Sequence, residues 1–252
     1  MTGTLEGRVA IVTGGSPGIG AAYCRGFAAE GAAVAAADVA DASEVVHGIT
    51  KAGGTAIAVS VDVTDRASTE RMAEEVSAEF GRIDTLVNNA AYYTAVKQSP
   101  FEDIQVEEWD LAFAVNVRGP WLCARAVSPY MRRQRFGRII NISSMTVHDG
   151  TPNFLHYVTT KAAVIGLTRA MAREMGGDNI TVNTVTPDYI PHDRSYAATQ
   201  PEWLEEWIVN RRCLKREEVP EDVVGVVLFL AGPGADFITG QSIAVNGGSA
   251  FT

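Results

Sequence analysis

Strand-length apolar runs alternate with helix-period stretches along almost the whole of this 252-residue chain, and that rhythm limits the folds open to it. Arg8 to Thr13, Ala33 to Asp38, Thr55 to Val61, Thr85 to Asn88, Gly137 to Ser143, Ile180 to Val185 and Ile243 to Asn246 read as strands. They are continuously apolar rather than alternating, so both faces must be covered, which is the mark of a parallel sheet. Helical patterns fall between them, near Ile19 to Glu30, Ser43 to Ala52, Arg66 to Phe80, Val106 to Arg133, Tyr157 to Met175 and Pro220 to Ala231. The alternation predicts the α/β class: a doubly wound parallel sheet of about seven strands with helices on both faces. The length suits a single domain over residues 1–252, with a core large enough to need no disulfide or metal.

Thr13-Gly14-Gly15-Ser16-Pro17-Gly18-Ile19-Gly20 follows the first strand and opens the first helix. Glycines there let the backbone approach a pyrophosphate, and the helix N-terminus offers free N–H groups and positive potential to the anion. A glycine-rich turn alone says little. With a strand before it, a helix after it and a second strand ending in Asp38, it reads as a Rossmann-type dinucleotide site. A carboxylate at Asp38 can accept hydrogen bonds from both hydroxyls of an adenosine ribose and repels a 2′-phosphate. Neither Pro17 nor Val39 supplies the cation such a phosphate needs, so NAD(H) is expected over NADP(H).

Tyr157-Val158-Thr159-Thr160-Lys161 places a phenol four residues before an ammonium, just upstream of an apolar helical run. On a helix these side chains share a face. A free tyrosine, with a reference pKa of about 10, is a poor base; a nearby cation favours the phenolate and makes it usable nearer neutral pH. The pair is common by chance, and its weight comes from the motifs around it.

With the glycine turn, Asn88-Asn89-Ala90 and Tyr157/Lys161 in that order, residues 5–248 resemble the short-chain dehydrogenase/reductase family, in its compact single-domain branch. The resemblance implies that Asp62 and Val63 contact the adenine, that Asn89 and Ala90 border the cofactor, and that Pro187 and Ile190 cradle the nicotinamide. It implies a catalytic set of Asn116, Ser144, Tyr157 and Lys161, with Asn116 anchoring a relay water and Ser143 the runner-up to Ser144. Ile238 to Gln241 and Val245 to Gly248 resemble the C-terminal signature that helps form dimer contacts, so a homo-oligomer, tetramer or dimer, is expected. Three positions depart from the pattern. Ala91 and Asp188 stand where glycine is usual, and His192 stands where a threonine is expected near the nicotinamide amide.

These residues support NAD(H)-dependent interconversion of a secondary alcohol and its ketone. Tyr157 exchanges the hydroxyl proton, Lys161 lowers its pKa and binds the nicotinamide ribose, and Ser144 hydrogen-bonds the substrate oxygen. Substrate walls are expected from Tyr92, Tyr93, Met145, His148, Phe154 and Tyr189, and from a charged and aromatic insertion, Asp188 to Glu218, of the kind that forms lids. Their aromatic character points to a hydrophobic or aryl substrate, although such rings also pack against one another. His148 is either a polar pocket group or a solvated loop residue, and Arg194 either meets a substrate anion or sits in a surface ion pair. A sugar or polyol dehydrogenase, and a catalytically silent dinucleotide sensor, are the alternatives.

Other classes fit poorly. A net charge of −9 argues against a nucleic-acid partner, and the basic cluster Arg132, Arg133, Arg135 and Arg138 falls at a helix end, where it complements the dipole. No apolar run reaches the roughly 20 residues of a membrane span, and Met1 to Gly7 is short and polar. Cys24, Cys123 and Cys213 are scattered and odd in number, as suits reduced thiols in a cytoplasmic protein. His47, His148, His156 and His192 lack metal-ligand spacing, so no catalytic metal is expected.

Overall fold

The computed structural model describes residues 3–16, 18–191 and 203–251. Seven parallel strands, β1 (Val9–Thr13), β2 (Ala33–Asp38), β3 (Ala56–Ser60), β4 (Thr85–Asn88), β5 (Gly137–Ile142), β6 (Ile180–Pro187) and β7 (Ser242–Val245), form one sheet in the order β3-β2-β1-β4-β5-β6-β7. The chain leaves β3 at one edge and re-enters beside β1 as β4. This reversal opens a crevice at the carboxyl ends of β1 and β4, where ligands bind in sheets of this kind.

Successive strand residues point to opposite faces, and each face is sealed by its own helices. Ala10 and Val12 of β1 join one core with α1 (Gly18–Ala29), α2 (Ser43–Lys51) and α9 (Pro220–Ala231). Val9 and Ile11 join the other, with α3 (Arg66–Phe80), α5 (Gly119–Gln134) and α7 (Leu155–Met175). The continuous apolar strands of the sequence are thus two interleaved alternating patterns, both buried. Local signals set the helix ends: Asp65 caps α3 by accepting from the backbone N–H groups of Ala67 and Ser68, each at 3.1 Å. No helix among the described residues is long and apolar enough to cross a membrane.

The stretch expected as one helix from Val106 to Arg133 is instead α4 (Val106–Phe113), a π turn (Ala114–Arg118) and α5. Gly119 N–H reaches back five residues to the Ala114 carbonyl, and Pro120 has no N–H with which to resume the ladder at once. Asn116 lies in this widened turn. β6 runs two residues past its expected end, to Pro187. A short helix, α6 (Thr146–Asp149), precedes α7, and α8 (Trp203–Arg211) occupies the charged insertion.

Candidate active site

A cleft of about 1460 Å³ opens over the carboxyl ends of the strands. Gly14, Gly18, Ile19, Gly20, Asp38, Asp62, Val63, Asn89, Ala90, Pro187 and Ile190 all line it, as do Ser144, Tyr157, Lys161, Tyr93 and Tyr189. Pro17, His192, Arg194 and Tyr196 lie outside the described residues. Asn116, Ser16 and His148 are not on the lining.

At the cofactor end, Gly14 has φ +64°, and a Cβ there would sit 2.9 Å from the Ala90 Cα. The turn after β1 is therefore both left-handed and pressed against the chain after β4, and only glycine meets both demands. Asn89 holds the two together: its Nδ2 donates to the carbonyls of Thr13 and Gly14, each at 3.0 Å. Thr13 Oγ1 accepts from the Asn89 and Ala90 N–H groups at 3.1 and 3.2 Å. Asp38 is 9% exposed, and both its oxygens are fixed. Oδ2 accepts from Ser16 N–H (3.0 Å) and Ser16 Oγ (2.8 Å), and Oδ1 from Ala40 N–H (3.1 Å). Ser16 thus orients the acid instead of lining the cleft. These features fit a nicotinamide dinucleotide: a turn bare of side chains at a helix N-terminus, and a pinned carboxylate one strand away.

At the other end, Tyr157 and Lys161 lie on the first turns of α7. The Lys161 ammonium is buried, donates to the Ile142 carbonyl at 2.9 Å and lies 5.6 Å from the Tyr157 ring centroid. Burial pushes the Lys161 ammonium down to about 8, so it keeps its charge at neutral pH. The Tyr157 ring is held between Tyr93 (5.2 Å between centroids) and Phe154 (4.9 Å). The two serines separate in role. Both border the cleft, but Ser143 is buried and its Oγ donates to the Lys161 carbonyl (2.8 Å), whereas Ser144 Oγ accepts from Thr146 Oγ1 at 3.0 Å and is the more exposed of the two. Asn116 is buried behind them: Oδ1 accepts from Tyr92 N–H (2.7 Å), and Nδ2 donates to Thr160 Oγ1 (3.1 Å) and the Tyr92 carbonyl (3.2 Å). Through these bonds it ties the chain after β4 to the turn of α7 that carries Tyr157.

The outer walls come from α6, from Thr151 to Phe154, and from α8. On the single turn of α6, Thr146 and Asp149 are three residues apart and share the cleft side, which leaves His148 exposed and off the lining. Arg211 of α8 was not foreseen as a site residue. Its Nη2 donates to Asp149 Oδ1 at 2.5 Å, and its guanidinium lies 4.5 Å from the Trp207 ring centroid. Because 62 residues separate the partners, no local pattern announces the pair. The departures at Ala91 and Asp188 leave the backbone unstrained, since neither residue has a positive φ.

A sequence family described as enoyl-(acyl carrier protein) reductase matches residues 14–250. The chain is 37% identical over 246 residues to the 3-oxoacyl-(acyl-carrier-protein) reductase FabG of Thermotoga maritima, covering 97% of this chain and 98% of that one. It is 38% identical over 242 residues to the reductase of the same name from Staphylococcus epidermidis, with 95% and 97% covered. Among solved structures, a Sinorhizobium meliloti protein described as a short-chain alcohol dehydrogenase gives a TM-score of 0.92 at 31% identity over 97% of each chain. A Beutenbergia cavernae protein described as an NAD(P)-dependent gluconate 5-dehydrogenase, with NADP bound at low occupancy, gives 0.90 at 36% identity, again over 97% of each.

Proposed function

The chain belongs to the short-chain dehydrogenase/reductase family, and within it we propose an NAD(H)-dependent oxidoreductase that interconverts a secondary alcohol and its ketone. The observation that carries this reading is the buried Lys161 ammonium beside the Tyr157 ring, with Ser144 on the same cleft. In the oxidative direction Tyr157 Oη takes the hydroxyl proton, and the nearby Lys161 charge favours the resulting phenolate. Ser144 Oγ donates to the substrate oxygen and holds its charge as it develops. Asn116 keeps α7 in place and so fixes where the phenol stands. When bound, the nicotinamide accepts or supplies the hydride at the carbinol carbon. Gly14, Gly18, Ile19 and Gly20 receive the pyrophosphate, with Ser16 holding Asp38 in place from the same turn, and Asp38 takes the adenosine ribose. Asp62 and Val63 meet the adenine, Asn89 and Ala90 border the dinucleotide, and Pro187 and Ile190 back the nicotinamide.

The substrate reading is an apolar or aryl body against Tyr93, Phe154, Tyr189, Trp203 and Trp207, all on the cleft. A polyhydroxylated substrate is the second reading, favoured by Thr146, Asp149, Thr151, Asn153 and Arg211 along the same cleft. A panel of aryl, aliphatic and polyol secondary alcohols, assayed by NADH absorbance with NADP+ in parallel, separates the two. A 3-oxoacyl thioester belongs in the reverse assay, given the relatives' names. We expect kcat/KM for an aryl alcohol at least about tenfold above that for a polyol, the scale set by burying one or two further carbons in an apolar pocket. Fastest turnover on the polyol would replace the first reading with the second.

A further inference from the structure

We propose that Arg212 is a positioning residue that clasps the nicotinamide side of the cleft to its substrate wall, so that cofactor binding and the placement of α8 depend on each other. The inference rests on the hydride-transfer reading above for its meaning, though not for its geometry. Arg212 follows directly on α8, yet it is 2% exposed. Its Nε donates to Asp188 Oδ2 at 3.2 Å, and its Nη2 to the Tyr189 carbonyl at 2.9 Å. Its Nη1 donates to the Arg216 carbonyl at 3.1 Å, and Nη2 lies 3.5 Å from Glu218 Oε2. The aliphatic stem runs so close to Gly247 that a Cβ there would sit 3.3 Å from the Arg212 Cδ. One side chain therefore joins the chain after β6 and the loop after α8 through its guanidinium, and packs its stem on the turn after β7.

Both ends of this clasp matter to the cleft. Pro187, Asp188, Tyr189 and Ile190 line it on one side, and Trp203, Leu204, Trp207, Ile208 and Arg211 of α8 line it on the other. Residues this far inside keep polar groups only when these are paired, and a planar fork with five donors can satisfy several partners at once, as an ammonium cannot. The acid at Asp188, in place of the expected glycine, thereby acquires a purpose: it is the anchor for this guanidinium.

The clasp also carries an ionisable partner. Glu218 is 5% exposed, and among the described residues no hydrogen bond of standard geometry reaches either of its oxygens. Burial pushes its carboxyl up to about 8; the Arg212 charge and the nearby Asp188 backbone N–H oppose this, and the Asp188 and Asp222 carboxylates add to it. The other groups within its field are Arg216 and the buried Tyr23 hydroxyl of α1, which has no hydrogen-bond partner among the described residues. Below about pH 8 burial favours the neutral carboxyl, which leaves Asp188 as the charged partner of the guanidinium. As pH rises through about 8, a second carboxylate forms beside the same cation and competes with Asp188 for it.

The test uses the full chain. Arg212→Met, Arg212→Lys, Asp188→Asn and Glu218→Gln are compared with the parent by circular dichroism, by fluorescence titration with NADH and NADPH from pH 6 to 10, and by kcat and KM. A folded Arg212→Met is expected to bind its dinucleotide several-fold more weakly and to lose about a hundredfold in kcat/KM, the scale of a small misplacement of reacting groups. Arg212→Lys should recover part of both. Above pH 8 the parent should lose more dinucleotide affinity than Glu218→Gln does; Lys161 titrates alike in both proteins, so their difference isolates Glu218. Unchanged affinity and kinetics in a folded Arg212→Met would overturn the proposal, as would coincident pH profiles for the parent and Glu218→Gln. Should Arg212→Met not fold, unaltered affinity in Asp188→Asn overturns it equally. Intact dinucleotide binding without turnover on any substrate would sink the activity reading instead, while the titrations still decide the clasp.

Discussion

A Tyr157→Phe protein is expected to fold normally, to bind NADH as the parent does, and to lose turnover by about 10³-fold, within the range general acid–base groups contribute. The ring is what packs: it is 6% exposed and wedged between Tyr93 and Phe154, and phenylalanine fills the same space. Only the hydroxyl goes, and with it the group proposed to exchange the substrate proton. NADH absorbance measures the loss, and a fluorescence titration shows that the cofactor site is intact. Near-normal turnover in the folded variant would remove Tyr157 from the mechanism and leave the Lys161 arrangement without a task. Lys161 adds a pH signature of its own. Its ammonium is held down to about 8 from 10.5, so between those values the folded chain binds fewer protons than the unfolded one. The penalty for burying this charge is in force below about pH 8 and is relieved as pH rises toward 10.5, which makes this group's contribution to stability increase across that window.

The sheet was readable from the sequence because burial on both faces leaves a periodic trace in the residues themselves. The glycine turn and Asp38 were readable because their neighbours in space are also neighbours in the strand–helix–strand order. The break at Ala114–Arg118 was missed because apolar periodicity continues through it. Its signal was Gly119-Pro120, where the missing N–H forbids an ordinary turn. What separates Ser144 from Ser143 is a hydrogen bond to a carbonyl 18 residues away, which spacing alone does not reveal. The outer cleft was the least readable part. Asp149 meets Arg211 and Asp188 meets Arg212 across long sequence gaps, and each pair looks in the sequence like ordinary surface charge. Buried position, not residue type, distinguishes Arg212 from the solvated arginines of α5.

On the proposed reading Asp38 sets the cofactor choice, and an Asp38→Ala protein is expected to lose roughly tenfold to a hundredfold in NADH affinity, the worth of one or two hydrogen bonds to a charged group. It should also bind NADPH better than the parent does. Both effects follow from where the carboxylate is held. It is nearly buried and pinned through both oxygens, so it cannot swing aside to admit a 2′-phosphate. Among the described residues lining the cleft, the cations are Lys161 and Arg211, which belong to the tyrosine end and the substrate wall. Exposed Val39 offers the phosphate nothing. The same carboxylate also steadies the glycine turn through Ser16, so part of the loss in Asp38→Ala comes from the turn. Asp38→Asn separates the two contributions. Its amide oxygen can still accept from Ser16 N–H, but the negative charge is gone, so rejection of NADPH should relax while the turn holds. Titrating all three proteins with NADH and NADPH gives the ratio directly. If that ratio stays where it is in the parent, Asp38 is only an anchor for Ser16 and the choice of cofactor is made elsewhere in the cleft.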